Sequence, residues 1–136
     1  MDLKKLFKKK IMPKDKSFDS ILDGIVVNGD ISGASGQSIR INCDVIGSVR
    51  LEKGSNSTLV VGEKGFISKQ SDSIDSTDVH ADHIIVSGKI DTSIIHAYES
   101  LVITSTGVVN AHDIKYGTIT IETGGIITGK LEDDRE

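Results

Sequence analysis

Residues 117–131 read GTITIETGGIITGKL. β-Branched residues stand at alternate positions, a glycine pair interrupts them, and a second short apolar run follows. A period of two is the signature of a strand, because successive side chains point to opposite faces. The same grammar recurs in SIRIN (38–42), TLVVG (58–62), HIIVSG (83–88) and SLVIT (100–104). No sustained i, i+3, i+4 stripe competes with it in this part of the chain. The stretch is therefore one copy of a repeated unit.

Glycine followed two positions later by an aliphatic residue marks the repeat. Gly29 precedes Ile31, Gly47 precedes Val49, and Gly65 precedes Ile67. Gly88 precedes Ile90, Gly107 precedes Val109, and Gly125 precedes Ile127. The steps between these glycines are 18, 18, 23, 19 and 18. The long step contains SKQSDSIDSTDV (68–79), a polar stretch expected to bulge as a loop. Eighteen extended residues at about 3.3 Å each give about 59 Å of chain, enough for three short sides folded over the preceding turn. The spacing predicts an all-β parallel β-helix of about six windings. At about 4.8 Å per winding the rod is roughly 29 Å long. Inward Ile, Val and Leu ladders explain why only 4% of residues are aromatic while 37% are apolar. A sandwich or barrel is the competing all-β reading, but its hairpin signals, Asp23-Gly24 and Asn28-Gly29, occur only near the start.

An open β-helix presents unpaired backbone groups and a bare lumen at each end, and such edges template another chain. The apolar residues expected at the two ends are Phe18, Ile21, Leu22 and Ile25 on one side and Ile126, Ile127 and Leu131 on the other. They form the expected polymerisation interface, with the protein itself as partner.

Residues 1–16 hold seven lysines against Asp2 and Asp15, a surplus of five positive charges. The remaining 120 residues hold nine basic and eighteen acidic groups, nine net negative. Such a body repels a phosphate backbone, so nucleic acid is not an expected partner. Leu3, Leu6, Phe7 and Ile11 share one side of a short helix, with Lys4, Lys5, Lys8, Lys9 and Lys10 mostly facing elsewhere. This pattern predicts a segment that lies on an anionic membrane surface. Residues 1–19 are read as a flexible basic tail, 20–131 as the β-helix, and 132–136 as a short acidic tail. No run reaches the length of a membrane span, no apolar segment follows the basic start, and Cys43 has no disulfide partner in the chain, so a cytoplasmic setting is expected.

No GxxxxGK run is present, so no nucleotide or other cofactor is expected. Cys43 falls on the inward set of SIRINCDVI and is expected to be a buried small hydrophobe. His80, His96 and His112 lie sixteen residues apart. They support the alternative reading, a left-handed β-helix enzyme of acyltransferase or metal-dependent hydratase type. Sixteen does not match the 18–19-residue step, and the sides of a rod are flat rather than concave, so a non-enzymatic role is favoured.

The series VVNGDISG (26–33), VIGSVR (45–50), VVGEKGFIS (60–68), IIVSGKID (84–91), STGVVNAHDI (105–114) and ETGGIITGKL (122–131) resembles the bactofilins, a family of bacterial cytoskeletal proteins. The resemblance spans residues 20–131, and MDLKKLFKKK is similar to the membrane-targeting start of many members. It implies a right-handed helix of triangular section, although an 18-residue winding suits either hand. It also implies end-to-end assembly without nucleotide into non-polar filaments at the inner face of the cytoplasmic membrane. There the filaments would position envelope-building or peptidoglycan-modifying proteins that govern cell shape, appendages or motility. The family's aromatic at the subunit junction has no counterpart near Leu131; Phe18 is the candidate at the other end.

Overall fold

A computed structural model describes residues 18–33, 36–54, 56–69 and 77–133. Among them eleven strands follow one another: β1 (Ser20–Asn28), β2 (Ile31–Gly33), β3 (Ser38–Ile46), β4 (Val49–Leu51), β5 (Thr58–Val61), β6 (Phe66–Ser68), β7 (Asp78–Val86), β8 (Lys89–Asp91), β9 (Ile94–Ile103), β10 (Val108–Ile121) and β11 (Ile126–Asp133). Every pairing between them is parallel. The alternation read from the sequence is the alternation of burial: in β3, Ile39, Ile41, Cys43 and Val45 are buried and the residues between them are not.

The longer strands bend at corners, so the ladder closes into a three-sided parallel solenoid. On the first side the inward file is Leu22, Ile41, Val61, Val86, Ile103, Ile121. On the second it is Val27, Val45, Ile67, Ile90, Val109, Ile127. On the third it is Ile31, Val49, Val79, Ile95, Ile114, Leu131. Each file has six members joined by five steps, in keeping with the expected number of windings. The interior is a column of aliphatic contacts, each close-packed on its neighbours above and below. The last strand continues to Asp133, two residues beyond the end expected for the body.

The repeat marker proves to mix two corners. Gly29 and Gly47 lie between the second and third sides. Gly65, Gly88, Gly107 and Gly125 lie between the first and second. The near-constant step between Gly47 and Gly65 therefore crosses from one corner to the other. The true winding steps vary: the first-side file advances 19, 20, 25, 17 and 18 residues. The 25-residue step, from Val61 to Val86, contains the whole polar stretch 68–79, of which residues 70–76 lie outside the described residues. Corners stack so closely that a side chain has no room at some of them. A Cβ on Gly88 would run into the carbonyl oxygens of Gly62 and Gly65.

One corner is braced by a buried acidic side chain. Asp82 is 1% exposed. Its carboxylate accepts hydrogen bonds from Gly54 N at 3.0 Å and Ser57 N at 3.0 Å, while its own N–H donates to Ser57 Oγ at 3.0 Å. The turn after β4 is thus pinned to the corner that follows the third side. This network satisfies backbone donors that no strand reaches.

Candidate functional site at the ends of the rod

The first and last windings carry the same inward positions as the middle ones but lack a neighbour on one side. Among the described residues, Ser20–Asp23, Val26–Asn28 and Ile31–Gly33 pair only toward the second winding. The segments 118–121, 126–128 and 130–133 pair only toward the fifth. At the amino-terminal end the inward set is Ser20, Leu22, Val27, Ile31 and Gly33, read from their partners Ile39, Ile41, Val45, Val49 and Leu51. At the carboxy-terminal end Ile119, Ile121, Ile127 and Leu131 continue the files of Leu101, Ile103, Val109 and Ile114. In the middle windings these files are fully buried, whereas Ile121 is 42% and Leu131 44% exposed. The carboxy-terminal end is the more apolar of the two.

The residues expected at the ends divide by register. Leu22, Ile127 and Leu131 are members of the inward files. Ile21 pairs with Arg40 and so faces outward on the first side. Ile126 pairs with Val108 on the outward set of the second side and is 54% exposed. Ile25 sits in a bulge, where Gly24 and Ile25 oppose Cys43 alone. Phe18 is half-buried just before β1. Four large apolar inward residues at the ends were missed: Val27, Ile31, Ile119 and Ile121. The alternation in GTITIE carried the signal for the last two. Leu3, Lys4, Lys5, Leu6, Phe7, Lys8, Lys9, Lys10 and Ile11, expected at the membrane, lie outside the described residues.

The histidines form part of the ladder that the alternative enzyme reading needs. His80 and His96 are register partners on the outward set of the third side, with ring centroids 5.8 Å apart. Sixteen residues is thus the winding step at this point, contrary to the argument from spacing. The next member of the file is Lys115, however, and His112 lies at the preceding corner. His80 contacts Tyr98 Oη at 3.0 Å through Nδ1 and Asp78 Oδ2 at 3.2 Å through Nε2. Burial pushes its pKa below the ordinary imidazole value, against the opposing pull of the Asp78 carboxylate; His96 and Arg50 add to the lowering. The Tyr98 ring packs against His96 at a tilt of 44°, with centroids 4.1 Å apart, and Lys53 Nζ lies 5.0 Å from its centre. Among the described residues no group of three or more His, Cys, Asp or Glu side chains is placed to hold a metal ion. Cys43 is buried as expected, and burial, then Asp44 and Asp23, push its thiol pKa up, which makes it a poor nucleophile.

Residues 20–132 match the family model Bactofilin, described as polymer-forming cytoskeletal. The structure is similar to that of a Thermus thermophilus bactofilin seen in a cryo-EM reconstruction of double helical filaments. The TM-score is 0.66 at 21% identity, over 84% of this chain and 98% of that one. A comparison with curated proteins finds no match.

Proposed function

The chain belongs to the bactofilin family of polymer-forming cytoskeletal proteins, and from that premise we propose that it is a structural scaffold whose filaments grow end to end through the bare first and last windings. The observation that carries this reading is the pair of unfinished ladders, with Ile121 and Leu131 continuing buried files yet nearly half exposed. Joining two ends removes these side chains from water and supplies the missing backbone hydrogen bonds.

Like ends meet in this scheme. Continuing the parallel register head to tail would set Ile121 on Leu22, Ile127 on Val27 and Leu131 on Ile31, but it would also set Ile119 on Ser20 and Glu122 on Asp23, an apolar side chain on a hydroxyl and two carboxylates on each other. A two-fold junction of two carboxy-terminal ends buries aliphatic files from both copies. Alternating isologous junctions give a filament without polarity. Assembly needs no nucleotide, and the protein is not an enzyme; the histidines of the third side are surface residues.

The lysine-rich start attaches the polymer to the inner face of the cytoplasmic membrane. A single short amphipathic segment binds weakly, and a filament multiplies it. Held there, the scaffold positions envelope-building proteins. The test is electron microscopy and sedimentation of pure protein without nucleotide, with and without anionic liposomes. Filaments that pellet with liposomes, and that stop doing so when residues 2–11 are deleted, are expected. A monomer at all concentrations overturns the assembly reading; undiminished pelleting of the deletion overturns the membrane reading.

A further inference from the structure

The bare amino-terminal end does not account for every exposed apolar side chain of the first winding. Ile25 and Val26 are 52% and 65% exposed. Val26 pairs with Asp44 and faces outward on the second side. Stacking another rod on the end covers the inward files and leaves this outward face in water. The two residues line a shallow depression at the bulge, with Asp23 and Asp44 beside them and Lys64 as the cation among its lining residues. Neither Asp23 nor Asp44 has a hydrogen bond or ion pair through its carboxylate among the described residues. Residues 18–33 hold three aspartates and no lysine or arginine. What covers this depression must bring apolar side chains and positive charge.

We propose that this depression receives the chain's own lysine-rich start, residues 1–11, and so competes with the membrane for it. The proposal rests on the membrane reading above. Leu3, Leu6, Phe7 and Ile11 stand there among five lysines, the chemistry that the depression lacks. Chain length permits the contact. Phe18 to Gly24 is six residues along the first side, about 20 Å. Residues 12–17 are six more and reach about 20 Å when extended, so Ile11 can return to the bulge. Charge selects this occupant over a second rod: residues 1–16 are five net positive and the rest of the chain nine net negative. A short link on the same chain also makes the local concentration high, so a weak contact suffices. The same apolar side chains cannot lie in lipid and in the depression at once. Docking therefore weakens apparent lipid binding, about tenfold when nine molecules in ten are docked. A single subunit is thus held off the membrane until assembly multiplies its lipid contacts.

Two measurements on the full chain test this. Ile121→Arg, which sets a charge on the carboxy-terminal junction, is the dilute background in both. The first uses a carbodiimide, which joins a lysine amine directly to a carboxylate, followed by peptide mass spectrometry. Links from Lys4, Lys5, Lys8, Lys9 and Lys10 should concentrate on Asp23 and Asp44 and vanish when phosphatidylglycerol vesicles are added. Links spread evenly over the body's carboxylates, or absent from these two aspartates, would overturn the docking. The second measures vesicle pelleting after Ile25→Ser and Val26→Ser are made together, with circular dichroism as the check on folding. Val108→Ser, at an outward position on the same side of the fifth winding, is the control. The double variant should bind vesicles several-fold more tightly although it has lost apolar surface, and Val108→Ser should bind as the background does. Equal or weaker binding by the folded double variant overturns the competition. The cross-links leave the depression unaltered and decide the matter should the double variant fail to fold. A background protein that never pellets removes the membrane reading and the competition with it, while the links to Asp23 and Asp44 still decide the docking.

Discussion

Ile103 and Ile121 are register partners on adjacent windings, yet Ile103 is fully buried and Ile121 is 42% exposed. Nothing in their own chemistry separates them. The difference is that Ile103 has a neighbour on both sides along the file and Ile121 has one. In the end-to-end scheme proposed above, assembly supplies the second neighbour.

Ile121→Arg should abolish filaments or shorten them severely while leaving the fold intact. The arginine meets solvent in the monomer but becomes an unpaired buried charge at a junction. Pelleting and electron microscopy check it. Leu131→Arg should behave alike, whereas Ile126→Arg, on the outward set, should assemble more nearly as wild type does.

Asp82→Ala should destabilise the monomeric unit by about 1–3 kcal/mol, because it leaves the N–H groups of Gly54 and Ser57 without their acceptor. Thermal unfolding of an assembly-deficient background such as Ile121→Arg gives the measurement free of polymer effects. Asp113→Ala, at an exposed carboxylate, is the comparison and should cost far less.

Gly88→Ala should cost about 1–3 kcal/mol through overpacking, since its new methyl meets two backbone carbonyls that belong to the windings and cannot rotate away. Unfolding midpoints compared with a conservative change elsewhere on the rod decide the matter.

The lowered pKa of His80 has a direction that can be checked. The unfolded chain takes up this proton first as pH falls, so the contribution to stability is complete above the unfolded value of about 6.5. It is lost as pH falls through that value toward the lower folded one, and the curve is flat again below it. A denaturation series from pH 8 to pH 5 should show a decline that His80→Gln flattens.

The strands themselves are legible because inward and outward positions are a matter of two successive residues. Ile39, Ile41 and Cys43 could be assigned inward by alternation alone, as could the leanness of the core in aromatics. The choice of end residues was only partly legible. Apolar character alone does not distinguish Ile127, on the inward file, from its neighbour Ile126 on the outward one. The histidines show the same limit: a sixteen-residue spacing matches the winding step between His80 and His96 but not the 19-residue step from His96 to Lys115.

The amino-acid order by itself determined that the chain alternates, repeats and winds, since those properties follow from local sterics and from the burial of every second side chain. Phase belongs to the tertiary structure alone. Parallel partners are joined through a whole winding, and corners of unequal length, above all the long excursion between β6 and β7, reset the register each time. Which glycine occupies which corner, which imidazoles stack, and which isoleucines stand bare at the end of a file are therefore settled only when the windings lie on one another.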